Sequence, residues 1–556
     1  MSLMVNMPVG VDDYKKLIEE NYYFVDKTRF IMSLIDGHSD VTLITRPRRF
    51  GKTLTMSMLY YFFSNEDKAS NRALFKDSYI GNADDKRYMQ EQGKYPVIFL
   101  SLKDIEAGNF DDMTQQFSIV LSELYGRFRF LRDNLAEDEI AFFDKALNKS
   151  LSNVELQFSL KTLSKYLSNY YQEKVVILID EYDAPIQHAY DAQEIYYKEA
   201  IRFFKSLLGT TLKTNEYMKF SVMTGVLRIA KESIFSDLNN LDVCSVMEKK
   251  YSDVMGFTDE EVKKLLSDVG ASDKYDEIKE WYDGYIFGNT AIYNPWSVIR
   301  YVSNGCETKP YWINTSANSI IKNMMQNLSL RRQDDLQTLL MGKEVSSLIH
   351  DGVIYEDIEK SDDEFFSMLL TTGYLTQDNY ESGYREFYNL KIPNKEVGSV
   401  YRNEILDRMR NQREVRTEAN LVRYMIEGDV LKFEEALSDF VLNYVSFFDA
   451  GTEGFYHGMM LGLLAVLNAD YVTESNKESG YGRFDLALFP NNCNNSGVVL
   501  EFKNAEDESE LEKMAKEALA QIDTKAYITE FKKRTVKEIK KYGIAFCGKK
   551  VRVIGE

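Results

Sequence analysis

Short apolar runs alternate with longer amphipathic stretches through the first 250 residues. Residues 41–45, 97–102, 175–179 and 220–224 are rich in β-branched and aromatic side chains and show no polar alternation, the pattern of strands covered on both faces. Between them, residues 53–63 and 113–128 place apolar side chains at helical spacing. This order predicts an α/β domain with a parallel sheet over residues 1–250.

The pattern changes from 251 to 402. Thr258, with Glu261 three residues on, predicts a capped helix start. Aromatic-rich turns follow: Trp281-Tyr282-Asp283-Gly284-Tyr285, Tyr293-Asn294-Pro295-Trp296 and Tyr311-Trp312. A short helix over 365–375, a turn around Gly383 and a strand over 388–392 suggest a mostly helical region of winged-helix type. Residues 403–450 read as a helical connector, and 451–556 as a last α/β domain with the order helix, three strands, helix, strand.

Composition adds limits. The 556 residues are 44% hydrophobic and 28% charged, as in a soluble globular protein of several domains. No apolar run approaches the roughly 20 residues that cross a bilayer, and no secretory signal opens the chain, so a cytoplasmic protein without a membrane partner is expected. Four scattered cysteines and four scattered histidines argue against a disulfide framework or a zinc site. A net charge of −19 opposes nucleic-acid binding by the bulk of the chain, yet residues 451–556 hold 15 basic and 16 acidic residues and are nearly neutral. The basic run of Lys532, Lys533, Arg534, Lys537, Lys540 and Lys541 reads first as a solvated face.

The predicted strand 41–45 runs into Arg46-Pro47-Arg48-Arg49-Phe50-Gly51-Lys52-Thr53 and then a helix. Strand, loop and helix are the setting of a P-loop, whose backbone N–H groups and helix N-terminus hold phosphates. Lys52 would reach the β- and γ-phosphates of ATP and Thr53 would ligate Mg²⁺. Arg46 stands where the general P-loop pattern has its first glycine, and the arginines at 46, 48 and 49 could add positive charge towards the phosphates. The strand 175–179 delivers Asp180, a second Mg²⁺ ligand, and Glu181, a general base for the attacking water. Thr224 and Arg228, after the strand 220–224, are further candidates for sensing or neutralising the γ-phosphate.

Near the C-terminus, Gly482-Arg483-Phe484-Asp485-Leu486-Ala487-Leu488 and Val498-Val499-Leu500-Glu501-Phe502-Lys503 read as two strands joined by a turn. Strand alternation puts Glu501 and Lys503 on one face, and pairing could bring Asp485 beside them. Asp485 and Glu501 would bind Mg²⁺ or Mn²⁺, and Lys503 would orient water or stabilise the transition state of phosphodiester hydrolysis. Glu453 and His457 share a helix face upstream, and Gln521 and Tyr527 follow downstream.

These residues resemble a known family. Tyr23-Phe24-Val25-Asp26-Lys27-Thr28, the loop from Arg46 to Thr53, and Leu178-Ile179-Asp180-Glu181-Tyr182-Asp183 are similar to the AAA-ATPase-like P-loop proteins common in anaerobic bacteria. So are Gly373-Tyr374-Leu375-Thr376 and Ile392-Pro393-Asn394-Lys395-Glu396-Val397. Arg46 is the usual residue of that family at its position, and Tyr456-His457-Gly458, Asp485 and Glu501-Phe502-Lys503 resemble the PD-(D/E)xK nuclease domain that accompanies it. The resemblance implies an active-site signature at Asp485, Glu501 and Lys503, with Glu453, Gln521 and Tyr527 at supporting positions.

The expected function is an ATP-binding, ATP-hydrolysing protein coupled to a metal-dependent nuclease acting on DNA or RNA. Two alternatives stand beside it: an NTPase switch whose C-terminal domain binds nucleic acid or protein without cutting, and a nucleotide-binding scaffold without turnover.

Overall fold

The computed structural model describes residues 6–191, 196–229, 235, 238–312, 330–340, 342–352, 355–358, 361–381, 387–401, 416–444, 453–464, 471–475, 478–479, 482–492, 495–505, 507–525 and 527–556. The expected turn at Gly383 lies outside them. The chain divides into two compact units, one of residues 1–324 and 346–396, the other of residues 325–345 and 397–556. Among the described residues no helix is long and apolar enough to cross a membrane.

The first unit is built on a five-stranded parallel sheet. Its strands are β1 (Val41–Thr45), β2 (Val97–Ser101), β3 (Val175–Asp180), β4 (Met218–Gly225) and β5 (Leu241–Cys244), in the order β2-β3-β4-β1-β5. All residues of β1 and β3 are buried, which is why both lack polar alternation. Strand β5 (Leu-Asp-Val-Cys) was not expected: it is short, mixed in polarity and half-buried at the sheet edge, so periodicity does not reveal it. Helix Lys52–Phe63 follows β1 and buries Met56, Leu59, Phe62 and Phe63 in the core with Ile44, Leu178 and Val222.

In residues 251–396 the expected cap is present. The Glu261 N–H donates to Thr258 Oγ1 at 3.4 Å and the Thr258 N–H to Glu261 Oε2 at 2.8 Å, at the start of helix Asp259–Asp268. A small sheet of β6 (Phe257–Thr258), β7 (Tyr285–Phe287) and β8 (Thr290–Tyr293) precedes helix Pro295–Ser303. Helix Asp362–Thr371 is followed by antiparallel β10 (Thr376–Glu381) and β11 (Phe387–Lys391), with β9 (Val345–Leu348) on the far side of β11. Helix then hairpin is the order read from the sequence.

The second unit holds a mixed sheet in the order β12-β15-β16-β17-β18: β12 (Tyr471–Ser475), β15 (Leu486–Pro490), β16 (Gly497–Asn504), β17 (Ile539–Cys547) and β18 (Lys550–Gly555). A two-residue pair, β13 (Glu478–Ser479) with β14 (Gly482–Arg483), precedes β15. Strands β16 and β17 are parallel, the crossover between them containing helix Leu511–Thr524, and the remaining pairs are antiparallel. Helices Arg416–Glu427, Val430–Tyr444 and Glu453–Leu464 bury Leu421, Phe440 and Leu463 in one core with Leu500, Phe502 and Ile544 of the sheet. Gly543 on β17 is where helix Leu511–Thr524 comes closest, since a Cβ there would strike the Ala515 carbonyl and the Leu519 N–H.

Candidate nucleotide and nuclease sites

The phosphate loop joins β1 to helix Lys52–Phe63. Its backbone turns through the left-handed region at Arg49 (φ 72°) and at Gly51 (φ 86°), the second position being open to glycine alone at little cost. Lys52 is buried, and its Nζ donates to the carbonyls of Arg46 at 3.2 Å and Pro47 at 3.3 Å. The same Nζ lies 3.3 Å from Glu181 Oε1. Glu181 itself sits at φ 52°, an unusual conformation for a residue with a Cβ, directly after β3.

Strand β4 lies between β1 and β3, and this topology assembles the rest of the site. Thr53 Oγ1 donates to Asp180 Oδ2 at 2.8 Å, and Thr224 Oγ1 donates to Asp180 Oδ1 at 2.6 Å. Burial raises the Asp180 carboxyl above its ordinary range and the Glu181 charge adds to this, while the two hydroxyls pull it back. The converging hydroxyl and carboxylate oxygens are the hard donors that suit Mg²⁺. A cavity of about 1070 Å³ lies over the loop, large enough for a nucleotide. Gly51, Lys52, Thr53 and Glu181 line one part of it, and Val25, Met58, Phe257 and Trp296 supply apolar wall.

Two expected phosphate contacts are corrected. Arg46 does not face the phosphates: its side chain is fully buried, with Nη1 donating to the carbonyls of Thr45 and Cys244 and Nη2 to that of Tyr251. Its guanidinium ties β1, β5 and the chain beyond β5 together, and burial lowers its pKa to about 10. Arg228 pairs with Asp351 at 2.7 Å, so its charge is directed at the segment after β9 and not at the loop.

Phe50 and Arg49 anchor the loop to residues 251–396, and Arg48 ties it to the helix after β3. Phe50 packs edge-on against Tyr285 and tilted against Phe287, and its carbonyl accepts the Gly256 N–H at 3.2 Å. Arg49 lies with its guanidinium carbon 4.4 Å from the centre of the Trp296 ring. Arg48 donates to Gln187 Oε1 at 3.0 Å. Nothing local in the sequence shows that Trp296 and Trp312, in their aromatic-rich turns, reach the loop.

Asp183, in the sequence simply the end of the Asp180-Glu181-Tyr182-Asp183 run, is a structural acceptor. Its Oδ2 accepts the N–H groups of Val226 and Leu227 at 2.9 and 2.8 Å, while the Tyr182 hydroxyl donates to the Leu227 carbonyl at 2.6 Å. Burial pushes the Asp183 carboxyl up to about 6. The residues after Asp180 thus hold the exit of β4, and with it Thr224, in place.

In the second unit, Asp485 and Glu501 come together, but not as two residues of continuous strands. Asp485 sits at a bend between β14 and β15. The interruption has a local cause: its side-chain Oδ2 accepts the Phe502 N–H at 2.8 Å where a backbone carbonyl would continue a ladder. The Asp485 N–H in turn lies 3.3 Å from Glu501 Oε2. Gln521 donates to Glu501 Oε1 and lies 3.3 Å from the Tyr527 hydroxyl, so both residues support the buried Glu501. Lys503 is on the same strand face as Glu501 and half-exposed.

His457 hydrogen-bonds to Ser475 Oγ at 3.0 Å and to the Asp485 backbone, and burial pushes its pKa down to about 4. Glu453 opens the same helix, and its side chain lies outside the described residues. Among the described residues no three His, Cys, Asp or Glu side chains cluster as a metal cage; the carboxylates that meet here are those of Asp485 and Glu501. Both are hard oxygen ligands of the kind Mg²⁺ and Mn²⁺ take.

Comparison with known proteins agrees with this division. An uncharacterized protein encoded in the vnfD 5′ region of Azotobacter chroococcum mcd 1 is 25% identical over 573 residues, covering 99% of this chain and 98% of that protein. The family described as predicted AAA-ATPase matches residues 8–235, and the PD-(D/E)XK nuclease superfamily matches residues 451–556. The chain therefore carries a predicted AAA-ATPase domain followed by a C-terminal domain of the PD-(D/E)XK nuclease superfamily.

Proposed function

We propose that this protein binds and hydrolyses Mg–ATP in its first unit and cleaves nucleic-acid phosphodiesters with a divalent metal in its second. The hydrogen bond from Thr53 to Asp180 carries the nucleotide half, because it joins the two magnesium-binding positions of a P-loop NTPase across 127 residues of sequence. Backbone N–H groups from Arg49 to Thr53 and the Lys52 ammonium hold the phosphates. Glu181 orients the attacking water and takes its proton on the carboxylate that now faces Lys52. Thr224 keeps Asp180 aligned.

In the second unit, Asp485 and Glu501 hold Mg²⁺ or Mn²⁺, and Lys503 orients the attacking water or meets charge on the scissile phosphate. A bound divalent ion there supplies Lewis acidity and lowers the pKa of a ligated water. Gln521, Tyr527 and His457 keep the carboxylates in place. The substrate is DNA or RNA, and the protein acts in the cytoplasm.

Phosphate release from Mg–ATP and Mn²⁺-dependent cleavage of single- and double-stranded substrates test both halves, with Lys52→Ala and Asp485→Ala as controls. Turnover at the Lys52→Ala background, or no cleavage by wild-type protein, would sink the corresponding half. A second reading keeps the C-terminal domain as a binder of nucleic acid or a protein partner that does not cut: the charge of −19 opposes tight capture of a polyanion by the bulk of the chain, while residues 451–556 are nearly neutral. Salt-sensitive nucleic-acid binding without product, unaltered in Glu501→Ala, would support that reading.

A further inference from the structure

Two tryptophans outside the phosphate loop touch it, and one buried carboxylate joins them. Trp296 lies against the Arg49 guanidinium, and the indole N–H of Trp312 donates to the Arg48 carbonyl at 3.3 Å. Ser297, the neighbour of Trp296, donates its hydroxyl to Glu396 Oε2 at 2.7 Å. The backbone N–H of Trp312 donates to Glu396 Oε1 at 2.8 Å. Glu396 is 0% exposed, and burial pushes its carboxyl up to about 7. A buried acid is costly, and a leucine would fill the space without that cost. What a leucine cannot do is accept from two donors on separate segments.

Helix Pro295–Ser303 and the segment ending at Trp312 are therefore pinned at one point, and each presents an aromatic side chain to an adjacent arginine of the loop. Gly373 completes the buttress, since a Cβ there would come within 2.9 Å of Pro47 Cβ. We infer that Glu396 is a positioning residue for the nucleotide site: it fixes Trp296 and Trp312 against Arg49 and Arg48, and so sets the path of the loop from Pro47 to Gly51. The inference rests on the nucleotide reading above and adds to it a determinant more than 340 residues away in sequence, a separation read from the numbering of Glu396 and Lys52.

The test is Mg–ATP affinity by titration calorimetry at 15 °C on the full chain, with melting temperature measured in parallel. Glu396→Ala removes both acceptors, Trp312→Phe removes the indole donor while keeping a ring, and Glu396→Gln keeps one acceptor for Trp312 and a donor that Ser297 can accept. Glu396→Ala and Trp312→Phe are expected each to weaken Mg–ATP about tenfold, the scale of one lost hydrogen bond. The double variant is expected to lose no more than the weaker single, and Glu396→Gln to stay within about twofold of wild type. A lower melting temperature with unchanged ATP affinity in folded Glu396→Ala would assign the residue a structural role only and overturn the inference. Additive losses, or no rescue by Glu396→Gln, would overturn it too. Wild-type protein that takes up no Mg–ATP overturns the nucleotide reading itself, and the inference with it.

Discussion

The Nζ of Lys52 and Oε1 of Glu181 lie 3.3 Å apart, although one residue begins the helix after β1 and the other follows β3. The pair juxtaposes the residue proposed to bind phosphate and the residue proposed to activate water, so their substitutions separate binding from chemistry. Lys52→Ala is expected to abolish measurable Mg–ATP binding. Glu181→Gln is expected to bind Mg–ATP at least as tightly as wild type while lowering turnover by about 10²-fold or more. Binding is read by calorimetry and turnover by phosphate release. Wild-type turnover in Glu181→Gln would remove Glu181 from the mechanism.

Gly225→Ala is expected to damage the site without touching a proposed ligand. A Cβ at Gly225 would lie 2.5 Å from Asp183 Oδ1 and 2.7 Å from the Tyr182 ring. Overpacking of this kind costs about 1–3 kcal/mol and displaces Thr224 from Asp180. Thermal melting and ATP affinity should fall together, and an alanine variant matching wild type in both would show that the β4 exit adjusts freely.

Glu396 should make stability depend on pH in a defined direction. Its folded-state pKa is raised from an ordinary 4.5 to about 7, so the folded protein binds the extra proton between those values. The stabilising contribution is complete below about pH 4.5 and is lost as pH rises through 7. Compared with Glu396→Gln, wild type should lose on the order of 1–3 kcal/mol between pH 5 and pH 8. Urea unfolding of both proteins at the two pH values measures the difference, which the parallel upward shift of Asp183 does not contaminate because it is common to both. A difference of opposite sign would show that Glu396 is held ionised.

Gln521→Ala should weaken the proposed nuclease centre through Glu501. Gln521 is a direct partner of Glu501, and loss of a residue that orients a metal ligand typically costs 10–100-fold in metal affinity or activity. The readout is the Mn²⁺ concentration giving half-maximal cleavage, with Tyr527→Phe as a milder companion. Unchanged Mn²⁺ dependence would mean that Glu501 is held by the sheet alone.

Much of the fold was legible because its signals are local. Strands β1 and β3 are buried on both faces and β4 is so from Ser221 on, the Thr258–Glu261 cap lies within one turn, and the loop around Gly51-Lys52-Thr53 is contiguous. The edge strand β5 and the bend at Asp485 were not legible, since one lacks periodicity and the other arises from a carboxylate replacing a ladder bond across to Phe502. Arg46 and Arg228 were read as phosphate contacts because a cation near such a loop suggests one. Their actual partners, the carbonyls of Cys244 and Tyr251 and the carboxylate of Asp351, are far away in sequence.

Residue types, their order and their strand or helix setting were thus readable from the chain alone: the phosphate loop, Asp180-Glu181, and Asp485 with Glu501-Phe502-Lys503 are contiguous patterns governed by backbone periodicity. Only the folded structure decided which side chains face one another. The insertion of β4 between β1 and β3 brought Thr224 to Asp180, and the parallel crossover to β17 laid Gln521 onto Glu501. Burial of Glu396 joined two tryptophans to the loop that opens at Arg46. The reason is that such contacts depend on sheet order and on the space left between packed elements, and neither leaves a periodic trace in the sequence.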